Sequence, residues 1–195
     1  MFMLTRLTAR HGTAIAEHLL ALAPEDRRHR FMAMVSDDYI RRYVAGAVPS
    51  GDLLIGAFNA ASLVALAHVA VGRDAAAPDE VAVEIGLSVH ADARRLGLGR
   101  ELCLAAKASA TALGARRMLW HFSSANRAML ALAHGLGAVI EPQGSEAIAV
   151  LVLKPALHPS AVPPVRPQQH AGLLVSSFGP SPMPPPQRSG RPVPW

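Results

Sequence analysis

The segment VAVEIGLSVHADARRLGLGREL, residues 81–102, decides the fold because its pattern changes halfway along. Residues 81–89 are mostly β-branched and other apolar side chains, which is typical of a buried strand. A run of arginines and two glycines, Gly97 and Gly99, follows, and apolar residues then recur at helical spacing as far as Gly114. The sequence therefore predicts a strand, a glycine-rich turn and a long helix with Gly114 at its C′ position.

Shorter patterns on both sides of this strand–turn–helix unit predict further strands and helices. Upstream, the sequence predicts a short strand, two helices and two further strands, over residues 4–7, 13–23, 36–46, 52–58 and 62–71. The last two strands and residues 81–89 are expected to form an antiparallel meander. Downstream, it predicts a strand, a helix and two short strands, over residues 117–122, 126–134, around Val139 and 148–153. The predicted fold class is α/β of the α+β type, with a largely antiparallel central sheet and helices on both faces.

Proline marks the end of this pattern, since 12 of the 16 prolines follow Lys154. Proline lacks an amide donor and fixes φ, which opposes both helix and sheet. We therefore predict one domain over residues 1–154 and a proline-rich disordered tail over residues 155–195. The tail is interpreted as a solvated, partly polyproline extension, and the alternative is a docking segment for a proline-recognising partner.

Composition excludes several classes of function. Three of the 19 basic residues and none of the 14 acidic ones follow Lys154, so the folded part is nearly neutral. Its arginines are scattered and its only lysines are Lys107 and Lys154, which argues against nucleic acid as a partner. Cys103 is the only cysteine and lies in an apolar helical run, so no intrachain disulfide is expected. No apolar segment is long and uninterrupted enough for a signal peptide or a membrane span, so we expect a cytoplasmic protein.

The glycine-rich turn has the chemistry of a diphosphate site. Glycine lets backbone amides approach a phosphate closely, and the following helix supplies its positive N-terminal end. Arg94, Arg95 and Arg100 surround the turn and would add charged donors. The dinucleotide pattern GxGxxG and the nucleotide pattern GxxxxGK followed by Ser or Thr are both absent. The two glycines alone are equally consistent with a turn that only connects a strand to a helix.

Two motifs that follow one another along the chain favour a cofactor-binding turn over a turn that only connects a strand to a helix. The pattern RxxGxG at residues 94–99, preceded by Leu87–Val89, resembles the cofactor motif of the GNAT superfamily of N-acetyltransferases. The later block SSANRAMLALAHGLGAVI, residues 123–140, resembles the Asn-containing helix and strand of the same family. The resemblance spans roughly residues 4–153. Residues 19–46 and 81–102 are most similar to the GNAT domain of bacterial protein-lysine acetyltransferases, and we expect the chain to lack the domains that are fused to it there.

This resemblance implies acetyl-CoA as co-substrate, an amine as acceptor and no metal. It implies that the backbone of Leu87 and Val89 pairs with pantetheine and that the amides from Leu96 to Arg100 bind the pyrophosphate. The cofactor-binding residues it implies are Leu87, Val89, Arg94, Arg95, Leu96, Gly97, Leu98, Gly99, Arg100 and Asn126.

Glu84 is the candidate general base. It aligns without a gap to a glutamate of the resembled lysine acetyltransferases, and a base is needed because an amine with a pKa of about 10.4 must lose a proton. The alternative is an exposed or salt-bridged strand glutamate. Its neighbours Val83 and Ile85 are apolar, a setting in which a carboxylate without a function is costly.

The chain departs from the family at two positions. Ala133 stands where many members have a tyrosine that protonates the leaving thiolate, and Ala138 replaces a common phenylalanine that shapes the acceptor pocket. The remaining candidates for an acid are His90, His121, Ser124 and His134. A thiol pKa of about 8.5 also allows the thiolate to leave without an acid.

Three functional hypotheses follow. The leading one is an acetyl-CoA-dependent N-acetyltransferase acting on a primary amine, with protein lysine as the preferred acceptor. The second is a non-catalytic acyl-CoA sensor, which the missing tyrosine would suit and Glu84 argues against. The third, a scaffold whose tail recruits a partner, leaves the RxxGxG motif without a purpose. The sequence leaves the acyl chain undefined, and the oligomeric state open between a monomer and a homodimer.

Overall fold

A computed structural model of the chain describes residues 2–47, 52–74 and 77–154. The predicted tail, residues 155–195, lies outside the described residues. The strands within them are β1 (Phe2–Leu7), β2 (Leu53–Asn59), β3 (Ser62–Arg73), β4 (Val81–Val89), β5 (Arg117–Ser123), β6 (Val139–Gln143) and β7 (Glu146–Val152). The helices are α1 (Gly12–Leu20), α2 (Pro24–Phe31), α3 (Asp37–Ala47), α4 (Leu98–Ala112) and α5 (Arg127–Gly135).

The strands form one mixed sheet in the order β1-β2-β3-β4-β5-β7-β6. The meander of β2, β3 and β4 is antiparallel, as the sequence predicted, and β1 extends it on the β2 side. β4 and β5 are parallel because α4 crosses over between them, while β7 runs antiparallel to both β5 and β6. The sheet is therefore largely antiparallel with one parallel pair.

Helices cover both faces of the sheet. On one face, α1, α2 and α3 bury Ile15, Leu19, Phe31 and Ile40 against β2 and β3. On the other face, α4 and α5 pack on the larger core, where Leu102 and Trp120 are fully buried. Both faces of the central strands are covered, which explains why β2, β3 and β4 read as nearly continuous apolar runs.

The predicted fold class is confirmed, and so is the end of the long helix. α4 ends at Ala112, and Gly114 follows its C-cap with φ +78°. Cys103 is buried on this helix, as expected, and burial raises the pKa of its thiol to about 12, so it is not a nucleophile at neutral pH. Among the described residues, no helix is long and apolar enough to cross a membrane.

The sequence prediction missed α2. Its eight residues, PEDRRHRF, are almost all polar and have no apolar period. The local signals were nevertheless present, since Pro24 opens the helix and Glu25 and Asp26 occupy its first turn. Only Arg30 and Phe31 are buried, at the end of the helix that reaches the sheet.

Candidate active site

A cleft of about 870 Å³ opens where β4 and β5 separate. The two strands pair over only three residues each, 82–84 of β4 and 117–119 of β5. The pairing of β4 with β5 ends at Glu84, whereas its pairing with β3 continues as far as Val89. Parallel strands that diverge in this way expose the backbone groups of one strand edge to the space between them. Gly86 to Val89 line the cleft on one side, and His121 and Phe122 line it on the other.

The glycine-rich turn lies at one end of this cleft. Gly97 has φ +82° and forms the N-cap of α4, a left-handed conformation that glycine adopts without strain. Arg95 also lies in the left-handed region, with φ +61°. The residues that line the cleft here are Arg94, Arg95, Gly97, Leu98, Gly99 and Arg100. The first amides of α4 therefore meet the cleft together with three cationic side chains.

Gly99 lies between two walls of the cleft. A Cβ built on it would stand 3.6 Å from a Leu87 methyl group and 3.7 Å from a Leu132 methyl group, both ordinary contact distances. Packing thus tolerates a Cβ at both Gly99 and Gly97, but at Gly97 the positive φ selects glycine. Leu96 does not line the cleft and its side chain is exposed, so the structure does not bring this predicted cofactor-binding residue into the cleft.

Asn126 also lines the cleft and is the N-cap of α5. Its Oδ1 accepts a hydrogen bond from the Met129 amide at 3.1 Å, which satisfies one of the first amides of the helix. Because Oδ1 is engaged in this cap, the side-chain NH₂ group is the hydrogen-bond donor that Asn126 has left to offer. Arg127 also lines the cleft and adds a cation that the sequence prediction missed. The signal in the sequence that could have indicated Arg127 is its position immediately after Asn126, the residue that caps α5.

Glu84 lies where the two strands part. It is 2% exposed and lines the cleft on the face of the sheet that α2 covers. Its Oε1 lies 3.6 Å from His121 Nδ1, an ion-pairing distance. Of the four residues considered as an acid, only His121 lines the cleft. Ala133, at the position of the missing tyrosine, is buried in the core and does not line the cleft.

Gly86 is covered by Arg30 from α2. The Arg30 Cζ lies 2.5 Å from where a Cβ of residue 86 would stand, so a side chain there would displace the guanidinium. Arg30 also lies over the rings of Phe31 and Tyr43, with 5.0 Å and 5.4 Å between Cζ and the ring centroids. This arrangement fixes α2 as the wall of the cleft beside Glu84.

A chain of hydrogen bonds connects the Arg30 guanidinium to the Asp52 carboxylate. Its Nη2 donates to the Tyr43 hydroxyl at 2.6 Å, the hydroxyl donates to His68 Nδ1, and His68 Nε2 donates to Asp52 Oδ2 at 2.9 Å. Burial lowers the pKa of His68, an effect that the Asp52 hydrogen bond opposes, and burial raises the pKa of Tyr43. The chain therefore holds neutral side chains between one cation and one anion.

Ser88 contacts a second buried histidine, His18 of α1. The Ser88 hydroxyl lies 2.8 Å from His18 Nε2, and His18 Nδ1 lies 3.0 Å from the Leu63 carbonyl. Because a carbonyl only accepts, Nδ1 carries the proton and Nε2 accepts from Ser88. Burial, reinforced by the stacked ring of His90, lowers the pKa of His18 to about 3. His18 is therefore too weak a base to activate Ser88, and it orients the hydroxyl instead.

The arrangement brings most of the sequence-predicted residues into one cleft: Glu84, Leu87, Val89, Arg94, Arg95, Gly97, Leu98, Gly99, Arg100 and Asn126. The residues that sequence reasoning missed come mainly from α2 and the start of α5: Glu25, Asp26, His29, Arg30 and Arg127. Among the described residues, no group of three or more His, Cys, Asp or Glu side chains could hold a metal ion. The cleft thus joins the glycine-rich turn and its three arginines to a buried carboxylate.

Solved acetyltransferases share this fold. The GNAT domain of S. lividans PAT is 15% identical over 77% of this chain and 89% of that one, with a TM-score of 0.66. An N-acetyltransferase from Staphylococcus aureus Mu50 is 15% identical over 79% and 99%, with a TM-score of 0.62. A GNAT superfamily phosphinothricin acetyltransferase from Sinorhizobium meliloti, solved in complex with acetyl-CoA, is 18% identical over 80% and 94%, with a TM-score of 0.61. At these identities the likeness establishes the fold.

The sequence itself establishes the family. Residues 13–138, more than half of the chain, match the acetyltransferase (GNAT) family. The chain therefore belongs to the GNAT acetyltransferase family, and the resemblance seen in the RxxGxG motif is confirmed. No curated protein matches the chain significantly.

Proposed function

We propose that the chain is an acetyl-CoA-dependent N-acetyltransferase that acts on a primary amine, with protein lysine as the preferred acceptor. The observation that carries the proposal is the position of Glu84, a buried carboxylate in the same cleft as the glycine-rich turn. Membership of the GNAT acetyltransferase family and the acetyl-CoA complexes of neighbours with the same fold support the co-substrate.

The turn would bind the pyrophosphate of acetyl-CoA. The amides from Gly97 to Arg100, residues that line the cleft, would supply donors, and Arg94, Arg95 and Arg100 would supply charge-assisted contacts. The pantetheine would then run along the open edge of β4, beside Leu87 and Val89, toward Glu84. An amide at this edge would donate to the thioester oxygen and stabilise the charge that develops there.

Glu84 would act as the general base. The amine must be neutral to attack, and its proton passes to the Glu84 carboxylate as the carbon–nitrogen bond forms. The carbon–sulfur bond then breaks, and the thiolate leaves with the bonding electrons. No tyrosine is needed for this step, because a thiolate with a pKa of about 8.5 is a competent leaving group.

A turnover screen with a matched pair of variants tests the proposal. Release of CoA and the mass of the product are measured with acetyl-CoA and a panel of small amines, lysine peptides and proteins. Glu84→Gln is expected to lower turnover by about a hundredfold near neutral pH and to leave acetyl-CoA affinity unchanged in calorimetry. Glu141→Gln, at an exposed position of β6, is the control and should retain full turnover.

Two results would contradict the proposal in different ways. Full turnover by Glu84→Gln across the pH range would show that Glu84 is structural. Tight binding of acetyl-CoA without acetylation of any amine, peptide or protein would favour the acyl-CoA sensor, the alternative that the alanine at position 133 suits.

A further inference from the structure

A base that is almost completely buried needs a route by which its proton leaves after each turnover. Glu84 is 2% exposed, whereas the side chain of His121 is 17% exposed. The two side chains approach because β4 and β5 are parallel here and Glu84 is in register with Leu119, two residues before His121. Both therefore point to the same face of the sheet and line the cleft together.

We propose that His121 is the proton-relay residue of this active site. The inference rests on the proposed function, and it assigns a role to a residue on the strand opposite the base. The proton that Glu84 takes from the amine passes from its carboxyl group to His121 Nδ1. The resulting imidazolium gives its Nε2 proton to water, which leaves a neutral ring protonated on Nδ1, and exchange of the ring protons with water then restores the tautomer protonated on Nε2. Glu84 is then a carboxylate again and ready for the next amine.

The geometry fits this transfer after a small movement. The tautomer protonated on Nε2 leaves Nδ1 as an acceptor toward Glu84 Oε1, the atom 3.6 Å away. Proton transfer needs about 2.6–3.2 Å between heavy atoms, so a shift of roughly 0.5 Å suffices. Catalytic hydrogen bonds commonly shorten in this way when substrates close an active site.

Other titratable and charged groups lie around His121, and one of them, His29, provides a control variant. α2 faces it with Glu25, Asp26, His29 and Arg30, while Glu146 of β7 and Arg127 of α5 lie at the adjoining edge. His29 is the only other histidine that lines the cleft among the described residues. It is therefore the competing proton carrier, and its substitution distinguishes a specific relay from any histidine nearby.

The test measures turnover against pH for the wild type, His121→Gln, His29→Gln and Glu84→Gln. Glutamine keeps much of the size and polarity of histidine but does not titrate. We expect His121→Gln to lower turnover by about tenfold or more near pH 7, to leave the KM for acetyl-CoA unchanged and to remove a titration step from the profile. His134→Gln, at an exposed position outside the cleft, should match the wild type.

Two further measurements separate a relay from a structural role. Added imidazole should restore turnover to His121→Ala, because it can carry the proton in place of the missing ring. The double variant Glu84→Gln with His121→Gln should be no slower than Glu84→Gln alone, because both residues serve one path.

The outcomes distinguish this inference from the proposed function. If the wild type acetylates an amine and Glu84→Gln loses turnover, but His121→Gln keeps the wild-type pH profile, the relay is wrong and the function stands. A rate loss in His121→Ala that imidazole does not restore, full additivity in the double variant, or a pH profile that depends on His29 instead would also overturn the relay. If the wild type transfers no acetyl group, the proposed function fails and the relay fails with it.

Discussion

Arg94 Nη2 lies 2.6 Å from Asp26 Oδ2, so an ion pair joins the glycine-rich turn to α2 across the mouth of the cleft. The same arginine donates from Nε to the Val89 carbonyl at 3.2 Å. Asp26 thus occupies a guanidinium that the proposed site would use for a phosphate group. Binding of acetyl-CoA must therefore compete with this carboxylate.

We predict that Asp26→Asn raises the affinity for acetyl-CoA by about two- to fivefold. Both partners are partly exposed, and an ion pair of this kind contributes about 0.2–1 kcal/mol. Calorimetry on the wild type and the variant measures the change. Asp38→Asn, which removes the exposed Arg41–Asp38 pair on α3, is the control and should leave affinity unchanged. A lower affinity in Asp26→Asn would show that the ion pair supports the site rather than competes with the ligand.

Gly97→Glu is expected to abolish acetyl-CoA binding. Its φ of +82° makes any side chain strained, by about 1–2 kcal/mol, and the added carboxylate would repel a pyrophosphate. Gly114→Glu is a matched control, since φ is +78° at the other end of the same helix and no atom blocks a Cβ at either position. The two variants should lose similar thermal stability, but only Gly97→Glu should lose binding. Equal affinity in both would show that the pyrophosphate does not bind at this turn.

His18 should make the fold sensitive to mild acid. Its pKa is about 3 in the folded protein and about 6.5 in the unfolded chain, so the unfolded state binds more protons between these values. Stability is therefore complete above pH 6.5 and falls as the pH drops toward 3, by about 2 kcal/mol at pH 5 from this residue alone. Burial lowers the pKa of His68 as well, which adds a loss of the same sign.

Urea unfolding at pH 7.5 and pH 5 measures this effect. His18→Gln is expected to reduce the difference in unfolding free energy between the two pH values by about 2 kcal/mol, even though the variant is less stable at pH 7.5. His134→Gln, at an exposed position, should keep the wild-type difference. The same pH dependence in His18→Gln and the wild type would show that His18 does not control acid sensitivity.

Removal of residues 156–195 is expected to leave both the melting temperature and acetyl-CoA affinity unchanged. The sequence of this segment has no periodic apolar face that a domain could bury. Thermal unfolding and calorimetry on the shortened chain provide the measurement. A large fall in melting temperature would mean that the segment packs on the domain, and unaltered stability with weaker binding would mean that it reaches the cleft.

The sequence by itself determined those parts of the protein that depend on local chemistry. The strand, turn and helix of residues 81–114 follow from apolar period and from two glycines, and the positive φ of Gly97 and Gly114 agrees with this. The RxxGxG motif and the later Asn-containing block together indicated the family, because each motif is a short, continuous stretch of sequence. The helix α2 was missed because its polar residues carry no period, and only the sheet beneath Arg30 and Phe31 gives it a buried end.

Only the tertiary structure decided which distant side chains meet. The contact between Glu84 and His121 depends on the register of two parallel strands, and the ion pair between Asp26 and Arg94 depends on how α2 lies across the sheet. No local pattern encodes either one, since each joins residues tens of positions apart whose separation is set by packing. The position of the glycine-rich turn was therefore predictable from sequence, whereas the histidine beside Glu84 and the helix that covers this part of the cleft were not.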